Sequence, residues 1–209
     1  MVGSKGKLTQ RQIKAKETQK RVYDVAIEMM NKYGYENVTV DDIVKNAGVS
    51  KGTFYTYYAS KDAVIIEEFN RIDDEYRKVF DSFSPEMSAS EQLMAFNSTL
   101  FYYCQHVCGK DTVRVSYSNQ IRGDVLDNML DYSSHSDRHG AKILRKILEK
   151  GLSSGEFKTN IGIKELEKYL IHCSHGVIYD WCLSKEDNDL EKMGQEFMQH
   201  IIKCLQNDF

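Results

Sequence analysis

The 209-residue sequence predicts an all-α fold, and three observations predict it. Proline occurs once. Apolar residues recur at three- and four-residue steps along most of the chain, the period of one helix face. Serine, threonine and glycine stand where those stripes begin and end, as helix caps do. With 41% apolar residues the chain can bury a substantial core. About nine helices fit, divided between a small head, residues 1–61, and a larger body, residues 62–209. No apolar run approaches the roughly 18–20 residues of a membrane span. The charged N-terminus has no apolar block behind it, so it does not read as a secretory signal. Five irregularly spaced cysteines without a C-x-x-C pair suit the reducing cytoplasm better than a disulfide framework.

The first helix is expected from about Thr9 to Tyr33, with Val22, Val25, Ala26, Met29, Met30 and Tyr33 on its apolar face and Gly34 as C-terminal cap. Thr39 with Asp42 three residues on resembles a capping box, opening a short helix that buries Ile43, Val44 and Ala47. Gly48 gives a tight turn, Ser50 caps a third helix ending near Tyr58, and Ser60 caps a long fourth one. Along the fourth run Ile65, Phe69, Ile72, Tyr76, Val79 and Phe83, and Ser84-Pro85 should stop it, because proline disfavours helix in the residue before it. Residues 89–108 read as a helix with Leu93, Phe96, Leu100, Tyr103, Cys104 and Val107 inward. Segment 112–122, TVRVSYSNQIR, alternates like a strand but has no strand to pair with, so helix or irregular structure is expected. Ile143, Leu144, Ile147 and Leu148 mark a further helix. Leu166, Leu170, Cys173, Val177 and Trp181 mark another, and Leu190, Met193, Phe197, Ile201 and Leu205 the last.

Helix, short glycine-containing turn, helix is the helix-turn-helix pattern. In VSKGTFYTYYASKDAV, Val49 to Val64, Phe54 and Tyr58 share one helix face and leave Lys51, Thr53, Thr56 and Tyr57 on the other. Hydroxyls and lysines donate to phosphate oxygens, and a helix fits the major groove. Charge agrees. Residues 1–61 hold 11 basic and 6 acidic side chains in a chain of net charge −3. A basic head on an acidic body suits a polyanionic partner, double-stranded DNA.

The run T-V-D-D-I-V-K-N-A-G-V-S-K-G-T-F-Y-T-Y-Y-A-S-K-D-A-V resembles the DNA-binding region of the TetR family of bacterial transcriptional regulators, over about residues 15–66. Tyr58 departs from the phenylalanine most usual there. The resemblance implies a small N-terminal reader and a larger helical body that binds a ligand and dimerises. It places Thr39 on a phosphate, with Ser50 capping the recognition helix. Lys51, Gly52, Thr53 and Thr56 would face base edges, and Tyr55, Tyr57 and Lys61 would clamp the backbone. It also implies a homodimer through the last two helices, about 163–185 and 189–206, and a pocket among the middle helices. The aromatic and polar side chains Asn97, Phe101, Tyr103, Tyr117, Tyr132, His172, His175, Tyr179 and Trp181 would suit an amphipathic organic effector there. Core packing is the competing role for each of them, and for Tyr55 and Tyr57.

The expected function is a ligand-responsive, sequence-specific DNA-binding regulator, a repressor released from a near-palindromic operator by a small organic molecule. Two alternatives stand beside it. One is metal or thiol sensing by Cys104 and Cys108, which share a helix face. However, His106 would point elsewhere, and a closed zinc site needs four convergent ligands. The other is a ligand-independent architectural DNA-binder, for which the body is larger than a dimer seam requires. No H-E-x-x-H, P-loop or dinucleotide fingerprint occurs, so neither enzyme, metal nor cofactor is expected. Effector identity, operator sequence and target genes are not legible.

Overall fold

Nine α-helices carry the described residues of the computed structural model, 9–122 and 138–207. Tyr132 and the side chain of Phe69 lie outside what is described. The chain forms two compact units, one ending at Glu67 and the other beginning at Glu68. The division falls within the fourth helix rather than before it.

In the first unit α1 spans Gln10–Tyr33 and opens with a reciprocal capping box between Thr9 and Gln12. Its C-cap, Gly34, has φ +82°, a conformation that L side chains rarely adopt. A 3₁₀ turn, Tyr35–Asn37, leads to α2, Val40–Ala47, where Thr39 and Asp42 cap each other as their spacing predicts. Gly48 stands in the left-handed region at φ +64° and turns the chain into α3, Lys51–Tyr57, capped by Ser50. Val22, Ala26 and Met30 of α1 meet Ile43, Val44 and Ala47 of α2 and Phe54 of α3 in the core, all of them buried. Arg21 Nε donates to the Ala47 carbonyl at 3.0 Å, satisfying one of the open carbonyls at the end of α2. Tyr33, expected on the buried face, is 51% exposed in the last turn of α1, where Lys32 Nζ lies 5.0 Å from its ring.

Helix α4 spans Lys61–Asp81, ending three residues before the expected serine-proline stop. In the second unit follow α5 (Ala89–Tyr102), α6 (Lys110–Arg122), α7 (His139–Ser153), α8 (Ile163–Leu183) and α9 (Leu190–Gln206). The segment that alternates like a strand is therefore helical, as α6. Buried Leu93, Phe96 and Phe101 make α5 the central rod, packed against α7 and α9. Its first turn receives the Glu156 carboxylate, which accepts from the N–H groups of Ala89 and Ser90 at 2.8 Å each. A carboxylate at a helix N-terminus is favoured by the unsatisfied donors and the helix dipole.

Residues Tyr103–Cys108 form a π-turn, closed by the N–H of Gly109 on the Cys104 carbonyl five residues back. The wider turn shifts the helix phase. Tyr103, Cys104 and Cys108 face inward, and Val107, expected inward, is 37% exposed.

Helices α5 and α9 touch at a glycine. A Cβ on Gly194 would lie 2.2–2.6 Å from ring atoms of Phe101, which is fully buried. Alanine gains about 1 kcal/mol of helix propensity over glycine, but overpacking a filled core costs about 1–3 kcal/mol and occasionally more. Gly194→Ala should therefore lower the urea midpoint. A raised midpoint would mean that the Phe101 ring has room to move aside.

Candidate DNA-binding face and ligand cavity

The outer face of α3 is built by subtraction. Phe54 and Tyr58 are buried, and the Tyr58 hydroxyl donates to Glu67 Oε2 at 2.7 Å. That leaves Lys51, Gly52, Tyr55 and Thr56 exposed, with Thr53 and Tyr57 half-buried beside them. The Ser50 and Thr53 hydroxyls lie 2.9 Å apart, and Thr56 Oγ1 donates to the Gly52 carbonyl at 2.8 Å. Lys51 Nζ pairs with Asp41 Oδ1 at 2.8 Å, and this hydrogen bond raises the lysine pKa. A Cβ on Gly52 would meet only Ser50 Oγ, at 3.7 Å, so the glycine leaves the surface open without any internal need for it. The Thr39 hydroxyl is occupied by the cap of α2, and hydrogen bonds from Thr39 hold the Asp42 carboxyl below its usual range.

Lys61, expected on the DNA backbone, makes hydrogen bonds within the head. Its Nζ donates to the carbonyls of Tyr35 at 2.7 Å and Val38 at 2.9 Å, and lies 3.7 Å from the centroid of the Tyr35 ring. It pins the turn between α1 and α2, and desolvation lowers its pKa.

In the second unit a cavity of about 90 Å³ lies among α4 to α8. Ile72, Phe96, Leu100, Leu144, Leu170 and Ile178 give it an apolar wall. Three of the sequence candidates line it: Asn97, Tyr117 and His175. Asn97 Oδ1 accepts from the buried Ser174 hydroxyl at 2.6 Å, while Asn97 Nδ2 donates to the Leu93 carbonyl at 3.0 Å. The Tyr117 oxygen lies 2.6 Å from His175 Nδ1. Burial pushes the Tyr117 phenol well above its usual range, so beside a neutral imidazole it donates and leaves that ring's proton on Nε2.

The other candidates lie elsewhere. Phe101 packs on Gly194, and Tyr103 is buried off the cavity. Trp181 is buried with its Nε1 donating to the Asn188 carbonyl at 2.8 Å. His172 and Tyr179 are exposed. Sequence reasoning missed Asp73, Tyr76 and Arg138, all on the cavity wall. For Tyr76 a signal existed, its place on the α4 stripe; the two charged residues look like ordinary surface positions. Cys104 also lines the cavity, and burial drives its thiol away from the reactive thiolate. Among the described residues no three His, Cys, Asp or Glu side chains gather as a metal site.

A tri-helical head presenting one polar helix face and a helical body with a partly open cavity make up a helix-turn-helix architecture. Residues 22–67 match the family profile described as bacterial regulatory proteins, tetR family. Over 188 residues the chain is 21% identical to the fatty acid metabolism regulator protein of Bacillus subtilis, covering 90% of this chain and 95% of that one. A TetR-family regulator of Pectobacterium atrosepticum superposes with a TM-score of 0.68 at 12% identity, over 96% of this chain and 99% of that one. The Thermus thermophilus TetR-family repressor FadR, solved with lauroyl-CoA, superposes at 0.63 and 18% identity, over 88% and 93%. The family profile covers the head alone, and the likenesses over the whole chain, at 12–21% identity, show the fold. The match of residues 22–67 supports a DNA-binding transcriptional regulator, and these relatives are regulators rather than enzymes. Among the described residues no helix is long and apolar enough to cross a membrane.

Proposed function

We propose that this protein is a repressor that binds a near-palindromic operator as a homodimer and is released by an amphipathic ligand with a long apolar chain, of the fatty acyl class. The observation that carries the reading is the cavity, whose wall is apolar, carries a few placed polar groups and includes α4, the helix that begins in the head. The B. subtilis and T. thermophilus relatives, one named for fatty acid metabolism and the other solved with lauroyl-CoA, support the ligand class. The cavity, about 90 Å³, is smaller than the roughly 150 Å³ that admits benzene in an engineered core. It is well below the roughly 300–1,000 Å³ of typical ligand sites. A fatty acyl chain must therefore part the helices around it, and a wall that has to move is suited to passing a signal along α4.

The dimer is assigned to α8 and α9. Their outer faces carry partly exposed Cys173, Val177, Met193, Phe197 and Ile201, with exposed Gly176 among them. A second copy would cover this strip as a four-helix bundle. Two recognition helices would then lie about one DNA turn apart, roughly 34–36 Å, or somewhat more. Site selection from random duplexes, followed by displacement with fatty acids and acyl-CoAs of graded chain length, tests the reading. A palindrome recovered and released by these compounds supports it. A monomer at micromolar concentration that recovers no palindrome would sink it.

On the recovered duplex, Lys51→Ala should alter base preference, losing about 1–3 kcal/mol at the pair it reads. Tyr57→Phe should weaken binding evenly across sequences, because a phosphate contact carries no sequence information. It should leave the salt slope unchanged, since a neutral hydroxyl neutralises no phosphate charge. Affinities measured over a panel of point-mutated duplexes separate the two behaviours.

A further inference from the structure

We propose that Asp73 and Arg138 form a latch on the cavity wall, which an anionic effector opens by taking Arg138 from the Asp73 carboxylate. The proposal rests on the reading of the cavity as the effector site, and adds the charge of the effector and the bond it replaces. Asp73, on α4, is largely buried and divides its oxygens between two donors. Oδ2 accepts from Arg138 Nε at 3.1 Å, and Oδ1 accepts from the Gly140 N–H at 3.1 Å in the first turn of α7. The contact is close as well as charged. A Cβ on Gly140 would lie 2.8 Å from the Tyr76 ring and 3.1 Å from Asp73 Oδ1, so α7 meets this turn of α4 backbone-first. Tyr76 in turn stacks on Phe96 of α5, with centroids 4.1 Å apart and planes 12° apart. One turn of α4 is thus held to two helices of the body, and its only ionic tie among those contacts is the one to Arg138.

Arg138 is the only lysine or arginine on the cavity wall among the described residues. The polar groups deeper in, Asn97 with Ser174 and Tyr117 with His175, are paired to each other. A ligand whose apolar chain enters the cavity would therefore bring an anionic end to Arg138, where the N-terminus of α7 also favours negative charge. Two carboxylates at one guanidinium in a half-dry site repel each other. Arrival of the ligand's anion thus weakens the hold on Asp73 and frees the α4 turn that carries it. An uncharged ligand of the same length would leave the latch closed.

The test uses the full chain, the selected duplex and three probes: dodecanoate, dodecanoyl-CoA and 1-dodecanol. Asp73→Asn keeps an acceptor for the Gly140 N–H but removes the competing charge. It should bind dodecanoate about tenfold tighter than the parent and, without any probe, bind the duplex about tenfold more weakly, a coupling inside the usual 5–150-fold span. Binding of 1-dodecanol should not change. In Arg138→Gln, dodecanoate should fall to the affinity of the alcohol. Thermal melts of both variants establish that they are folded, and Asp73→Glu, which restores the charge, should return towards the parent. If Arg138 matters for the acid, the anion is a carboxylate; if it matters for the CoA ester alone, the anion is a phosphate; either supports the latch. Unchanged affinity for both dodecanoate and dodecanoyl-CoA in Asp73→Asn, or equal losses for both anionic probes and the alcohol in Arg138→Gln, overturns it. If all three probes release the duplex regardless of either side chain, the effector reading stands and the latch alone falls. If none binds the parent protein, both fall.

Discussion

Arg145→Ala should remove about 3–5 kcal/mol from the stability of the body, the cost of leaving a buried charge without its partner. Glu167 on α8 is completely buried, and Arg145 on α7 meets it with two hydrogen bonds, Nε to Oε2 at 2.8 Å and a terminal guanidinium nitrogen to Oε1 at 3.1 Å. Against a total stability of about 5–15 kcal/mol this is a large share. Urea unfolding followed by far-ultraviolet circular dichroism reads it directly. Replacing both residues, Arg145→Met with Glu167→Leu, should recover most of the loss, because the pair itself contributes little beyond what an apolar contact would. A single-variant loss under about 1 kcal/mol would mean that Glu167 reaches water or another donor. The neighbouring Leu144 and Leu170 line the cavity, so Arg145→Ala should also weaken ligand binding at temperatures where the fold survives.

Lys61→Ala should act on the head's stability more than on its charge contact with DNA. The ammonium gives two hydrogen bonds to carbonyls of the α1–α2 turn, and charge-assisted bonds of this kind contribute about 1.5–3 kcal/mol. Partial exposure of the side chain places the combined loss near the lower end, about 2–3 kcal/mol. Operator affinity should fall as the folded population of the head falls. The plot of log affinity against log salt should keep its slope. If Lys61 instead neutralises a phosphate, the slope flattens by about one unit per subunit and the melting temperature stays put. One titration series with one melt separates the two roles.

That lysine marks the limit of what the sequence discloses. The helix-turn-helix is legible because its determinants are local. Thr39 and Asp42 are three residues apart, Gly48 and Ser50 begin and end a three-residue turn, and Phe54 and Tyr58 sit one helical turn apart. The partners of Lys61 are backbone carbonyls 26 and 23 residues upstream, which leave no mark on residue identity. The cavity is legible in part for the same reason. Asn97, Tyr117 and His175 share their chemistry with Phe101, Trp181 and Tyr179, and nothing in their spacing sorts the first group from the second. Sorting is done by tertiary approach: Gly194 draws Phe101 against α9, and the Asn188 carbonyl takes the indole N–H of Trp181. The π-turn at Tyr103–Cys108 likewise defeats a 3.6-residue count, exposing Val107 where the count buries it.

The narrowness of the cavity also sorts compounds into two pharmacological kinds. A molecule small enough to lie within about 90 Å³ would bind without displacing any helix. Fitting the unparted cavity, it would not favour the released form over the operator-bound one, however tightly it bound. Such a compound would occupy the site against the long-chain effector and keep the repressor on its operator: a competitive antagonist. Chain length would then set the sign of the response as well as its strength, with short homologues silencing the genes that long ones switch on.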